Sequence, residues 1–154
     1  MPTNLSANWP LRFLGEGKTE KFILDSAAAA HIYKGSPMMI DDNGDTDHVI
    51  LSQLITVATS DVMVGIAAEE KVVVAGDAED ELHMIELYVW PTIIGFKSNS
   101  SPVFTMADVG KTVSMDGTGI LTASGASTKP RIGKLFKVED GYDYVALETP
   151  WVQA

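Results

Sequence analysis

The chain has 154 residues, 45% of them hydrophobic and 21% charged, with no cysteine and a net charge of −10 from 21 acidic against 11 basic side chains. This length suits one domain, which can hide roughly 70% of its unfolded surface without help from a disulfide or metal. The lack of thiols excludes disulfides, cysteine-ligated metals and thiolate catalysis, and the charge argues against binding nucleic acid phosphates or anionic membrane surfaces.

The first segment, residues 1–18, differs from the rest. It carries the turn-formers Pro2, Asn4, Ser6, Asn8, Pro10, Gly15 and Gly17, yet it also holds Leu5, Trp9, Leu11, Phe13 and Leu14. A disordered tail is polar and poor in aromatics. The segment therefore reads as an extended N-terminal arm whose five apolar side chains dock on a partner or neighbouring subunit, with packing onto its own domain as the competing reading. No basic segment followed by an apolar core opens the chain, so no signal peptide is expected. The longest nearly apolar run, Leu87–Phe96, is broken by Pro91 and falls well short of the ~20 residues of a membrane helix.

Residues 19–154 read as one β domain. Short runs rich in branched residues alternate with turns, the pattern of a barrel or sandwich. Strands are predicted at Glu20–Leu24, Ser36–Ile40, Val49–Val57, Val62–Ala67, Lys71–Val74, Ile85–Trp90, Ile93–Phe96, Thr112–Met115, Ile120–Ala123, Arg131–Val138 and Tyr144–Leu147. The Asp116-Gly117-Thr118-Gly119 stretch predicts a hairpin turn, and Asp140-Gly141 supplies the positive φ angles of a tight one. In the strand before that turn, Ile132, Phe136 and Val138 are expected on one face. Helix is confined to short turns. One is expected at Ser26–Ala30, capped by Ser26, and another at Thr105–Asp108, stopped by Gly110. Over Asp77–Leu87 the helical spacing of Leu82, Ile85 and Val89 behind an acidic start competes with an acidic loop leading into a strand. The branched Val89, Thr92, Ile93 and Ile94 and the helix-breaking Pro91 favour the loop and strand.

Little in the chain points to chemistry. His31, His48 and His83 lie far apart and lack the H-x-x-x-H spacing of a metal site, so they read as surface or interface residues. The Ser98–Ser101 and Ser124–Ser127 stretches lack a nucleophile elbow, and no phosphate-binding glycine motif is present. Asp41, Asn43, Asp45 and Asp47 place oxygen ligands at alternate positions, as calcium prefers. The glycine falls at the wrong place for an EF-hand and no closing glutamate follows, so a solvated turn is the preferred reading. No cofactor, metal or catalytic residue is expected.

Several stretches taken together resemble the small β-barrel head decoration (cement) proteins of tailed bacteriophages. They are His31-Ile32-Tyr33-Lys34-Gly35 with Pro37-Met38-Met39-Ile40-Asp41; Val64-Gly65-Ile66-Ala67-Ala68-Glu69; Ala107-Asp108-Val109-Gly110-Lys111-Thr112-Val113; and Ile132-Gly133-Lys134-Leu135 with Val138-Glu139-Asp140-Gly141. The resemblance spans about residues 20 to 148 and lies in strands and their turns. It implies a mainly β, small β-barrel (β-tulip-like) domain and no catalytic residues. It also implies a homotrimer at local threefold positions of the capsid exterior, made in the host cytoplasm and gripping the major capsid protein through the arm. The acidic stretch Asp77–Glu81 departs from that pattern. Two other classes compete. Trp9, Trp90 and Trp151 could stack on sugars in a carbohydrate- or receptor-binding module, and a small oligomeric β-barrel hydrolase would need paired carboxylates in a pocket.

Overall fold

The computed structural model describes residues 5, 7–54, 57, 61–98, 104–116, 119–122, 130–148 and 151–152. In chain order the strands are β1 (Leu11–Leu14), β2 (Lys18–Ile23), β3 (Ala30–Ile32), β4 (Pro37–Ile40), β5 (Ile50–Leu51), β6 (Val62–Ala67), β7 (Lys71–Val73), β8 (Met84–Val89), β9 (Ile93–Lys97), β10 (Thr112–Asp116), β11 (Gly119–Thr122), β12 (Arg131–Glu139), β13 (Tyr142–Leu147) and β14 (Trp151–Val152). Two 3-10 turns, Ser52–Leu54 and Met106–Asp108, are the helical elements among them.

The molecule is mainly β, with three antiparallel sheets. The first has the order β1-β9-β13-β12-β10-β11, the second β2-β8-β6-β4-β5 with β14 also on β6, and the third pairs β3 with β7. No closed barrel forms among the described residues.

Two hydrophobic cores explain why the strands read as they do. Met39, Met63 and Ile66 of the second sheet meet Ile94, Phe96, Val113, Met115, Ile132 and Val145 of the first. On the other side of the second sheet, Met38, Val64, Ala67, Ile85 and Leu87 pack with Ile32 of β3 and Val73 of β7. The second sheet is thus covered on both faces, which gives three layers. That is why Met38 and Met39 are both fully buried and why β6 is a continuous apolar run. Gly65 sits where β6 crosses β8 closely, since a Cβ there would lie 2.4 Å from the Tyr88 carbonyl oxygen.

Local expectations met different fates. At Asp140-Gly141, φ is 52° and 76°, as a tight hairpin turn requires. Thr105 caps the second 3-10 turn, its Oγ1 accepting from Ala107 N, and Asp108 Oδ2 accepts from Thr105 N at 3.0 Å. The Ser26–Ala30 turn does not form. Ser26 Oγ donates to the Asp77 carbonyl at 2.5 Å instead, and Ala30 begins β3. The long strand expected at Val49–Val57 ends at Leu51, where its register with β4 stops and the chain enters the first 3-10 turn. The Asp116–Gly119 pairing is present, while Gly117 and Thr118 lie outside the described residues.

Asp143 on β13 is 2% exposed, and its Oδ1 has no hydrogen-bond partner. Burial pushes this carboxyl above its ordinary 3.8, partly opposed by a hydrogen bond with Ser98. The folded protein holds this proton more tightly than the unfolded chain does. Stability from this group is therefore greatest in acid and falls as pH rises through the carboxyl's folded pKa. Asp143→Asn is expected to stabilise the fold by about 1–2 kcal/mol at neutral pH, with the gain vanishing in acid. Denaturant titrations at both pH values check this.

Candidate contact surface

The five arm residues do not stand away from the domain. Leu5 is 7% exposed and belongs to the core between the first two sheets, with Trp9, Leu11 and Phe13 packed against it. Residues Leu11–Leu14 form β1 and pair with β9, Leu11 opposite Phe96 and Leu14 opposite Ile93. The Trp9 ring meets Phe96 edge-on at 6.0 Å, and its Nε1 donates to the Lys97 carbonyl at 3.2 Å. Phe13 lies 4.8 Å from the Tyr88 ring, and the Arg12 guanidinium sits 4.1 Å over Tyr142. Asn8 holds the approach from both ends, donating to Glu70 and accepting from Lys34 N. These residues thus pack onto their own domain, the competing reading of the segment. Alternating apolar side chains across Leu11–Leu14 find a better partner in the open edge of β9 than in water.

Exposed large apolar side chains lie elsewhere, among them Val72, Val74, Leu82 and Trp90, and a further group near β12. Phe136 is 48% exposed, Met106 60% and Val109 41%. Their closeness follows from two hydrogen bonds to β12: Gly110 N donates to the Leu135 carbonyl at 2.9 Å, and Met106 Sδ accepts from Val138 N at 3.4 Å. The second 3-10 turn therefore lies along β12 beside Phe136. Phe136 points outward because the β12–β13 register shifts between Leu135 and Lys137, leaving it as the unpaired residue of a bulge. Bulges re-aim side chains in this way. The expectation that Ile132 and Phe136 share a face fails for this reason. Ile132 and Leu135 point inward and Phe136 outward.

Charges flank this ridge. Lys111 pairs with Asp108 at 3.0 Å, Lys137 pairs with Glu139 and lies over the Tyr144 ring, and Lys134 is exposed. The Asp108 and Glu139 carboxyls are held below their ordinary values, Asp108 first by the Thr105 backbone N–H and then by Lys111, Glu139 first by Lys137. The ridge thus has an apolar crest flanked by two ion pairs and an exposed lysine, although the whole chain is strongly acidic.

The acidic stretch at residues 41–47 does not gather its carboxylates around one point. Asp41 Oδ1 accepts from Asn43 N and Asp45 Oδ1 from Asp47 N, as in ordinary Asx turns. Asp45 Oδ2 instead faces His48 Nδ1 at 2.6 Å, and Glu79 Oε2 approaches the same nitrogen at 2.7 Å. His48 holds the Asp45 carboxyl down to about 2, and the His48 imidazole is raised above its ordinary 6.5, chiefly by Asp45. The Asp45–His48 spacing was visible in the sequence, but nothing there pointed to Glu79.

Two open surface grooves are present among the described residues. One of about 200 Å³ is lined by Lys21, Glu69, Lys71, Glu81, Leu82 and Met84, and one of about 350 Å³ by Trp90, Lys134, Ala146, Leu147 and Glu148. Of the three tryptophans considered for stacking, Trp9 packs against the core, Trp90 is 51% exposed, and the Trp151 side chain lies outside the described residues. No helix among the described residues is long and apolar enough to cross a membrane. Compared with protein-family models, with curated proteins and with solved structures, the chain gives no match.

Proposed function

We propose that the chain is a structural protein that coats the outer surface of an assembled tailed-phage head and stabilises it, seated as homotrimers on the major capsid protein. The sequence resemblance supplies the class, and the Met106–Val109–Phe136 ridge is the observation that favours attachment through a protein surface. Protein contact regions are anchored by a few apolar or aromatic side chains ringed by polar groups. Phe136 suits that role because a bulge, and not a flexible loop, presents it. The small β-tulip-like barrel of the decoration class is the finer fold that goes with this reading, supported by the antiparallel, mainly β build. A coat protein that binds the assembled lattice and not its free subunits stabilises the lattice by mass action, and three copies linked together add their modest contacts through effective concentration.

Substituting the crest tests the assignment. Phe136→Glu is expected to weaken cosedimentation with expanded heads at least tenfold, about 1.4 kcal/mol, while leaving the thermal midpoint nearly unchanged, since exposed positions are usually worth within about 0.5 kcal/mol. Unchanged head binding would contradict it. Exposed Trp90, beside its groove with Lys134 and Glu148, favours a second reading as a carbohydrate-binding module. Loss of glycan binding in Trp90→Ala, on a glycan array, would support that one.

A further inference from the structure

We propose that Asp45, His48 and Glu79 form a binding site for a divalent first-row transition ion of the zinc class. Their ligand atoms all lie within 4.8 Å of one another. Two carboxylate oxygens approach one imidazole nitrogen, at 2.6 and 2.7 Å. That nitrogen carries at most one hydrogen, so a hydrogen bond satisfies one carboxylate well and the other poorly. An ion among the three atoms serves all of them. Tetrahedral zinc, with bonds of about 2.0–2.2 Å, sets neighbouring ligand atoms ~3.3 Å apart, so His48 Nδ1 need draw away from each carboxylate oxygen by only a fraction of an ångström.

The other oxygen of each carboxylate is already held from behind. Asp45 Oδ1 accepts from Asp47 N at 2.9 Å. Glu79 Oε1 accepts from Ser26 N at 3.2 Å. These outer partners aim Oδ2 and Oε2 at the shared point, the kind of support that orients metal ligands. The donor set also selects the ion. One imidazole with two carboxylates suits zinc, cobalt or manganese, whereas calcium takes an all-oxygen shell. The side chains remain 21–30% exposed, which leaves an approach for the ion and a place for a water as fourth ligand. The histidine–carboxylate contacts of His31 with Glu70 and of His83 with Asp80 lie outside this three-ligand cluster and provide natural controls.

The site would tie together chain segments that meet at one end of the second sheet. Asp25 N donates to the Val49 carbonyl at 2.8 Å next to His48, and Ser26 is the residue that holds Glu79. An ion there staples residues 45–48, residues 25–26 and the acidic loop.

The test uses the full chain freed of metal by a chelator and titrated with zinc chloride in a calorimeter. The expected result is one zinc per chain with micromolar affinity, and a thermal midpoint raised by about 5 °C in excess zinc. His48→Asn and Glu79→Gln, each checked for an unchanged circular dichroism spectrum, should each weaken binding at least tenfold, and His31→Asn should not. Glu79 is largely a surface residue, so Glu79→Gln keeps the test valid if His48→Asn fails to fold. Absence of 1:1 binding below millimolar zinc, or binding that Glu79→Gln leaves unchanged, would overturn the proposal.

Discussion

Deleting residues 1–14 is expected to abolish cooperative unfolding or lower the thermal midpoint far below that of the full chain. The segment supplies Leu5 to the core, lays Trp9, Leu11 and Phe13 against it, and adds an edge strand to β9. Its loss strips cover from Phe96 and Ile94, both fully buried in the intact chain. The change amounts to several large-to-small core substitutions made together, each worth about 2–5 kcal/mol. Total stability of such a domain is only about 5–15 kcal/mol. A graded version is Trp9→Ala, which removes the edge contact with Phe96 and the hydrogen bond to Lys97. It should cost about 2–3 kcal/mol and lower the midpoint by roughly 5–10 °C. Calorimetric scans of both variants provide the check. A midpoint unmoved by the deletion would restore the reading of these residues as an arm reserved for a partner.

Gly133→Ala is expected to be the most damaging single-methyl change in the first sheet. A Cβ at residue 133 would lie 2.1 Å from the Ala146 carbonyl oxygen and 2.9 Å from its carbon. Both are backbone atoms of β13, so no side-chain rotation relieves the clash. The strands must part where Gly133 pairs with Leu147 and with Val113 on its other side, in the interior of the sheet. The expected loss is about 3–5 kcal/mol. Gly141→Ala is the comparison, because that Cβ meets open space and only its φ of 76° opposes it. Left-handed strain of that kind costs about 1 kcal/mol. Urea denaturation ranks the two. A Gly141→Ala variant less stable than Gly133→Ala would contradict this description of the sheet.

The legible parts of the fold were those set by local chemistry. Asp140-Gly141 announced its turn because few residue pairs accept two positive φ angles, and Thr105 with Asp108 announced a cap because the two side chains satisfy neighbouring backbone groups. The apolar runs at Val62–Ala67 and Ile93–Phe96 were visible as strands. Pairing hid the rest. Leu11–Leu14 looks like part of an arm until β9 is present to receive it. The Ser26–Ala30 stretch looks helical until Asp77 takes the Ser26 hydroxyl and Glu79 its backbone N–H. Phe136 appears to share a face with Ile132, because a bulge depends on the partner strand and leaves no sign in one strand's alternation. The meeting of Glu79 with Asp45 and His48 is hidden for the same reason, since it joins two loops that only the sheet order brings together.

Attachment to an assembled capsid, as proposed, is tested most directly by an electron cryo-microscopy reconstruction of expanded tailed-phage heads incubated with the chain. The expected result is three copies around local threefold positions on the outer surface, with the Met106–Val109–Phe136 ridge facing the major capsid protein. Heads that carry no copy of the chain, or carry it with that ridge turned to solvent, would contradict the claim.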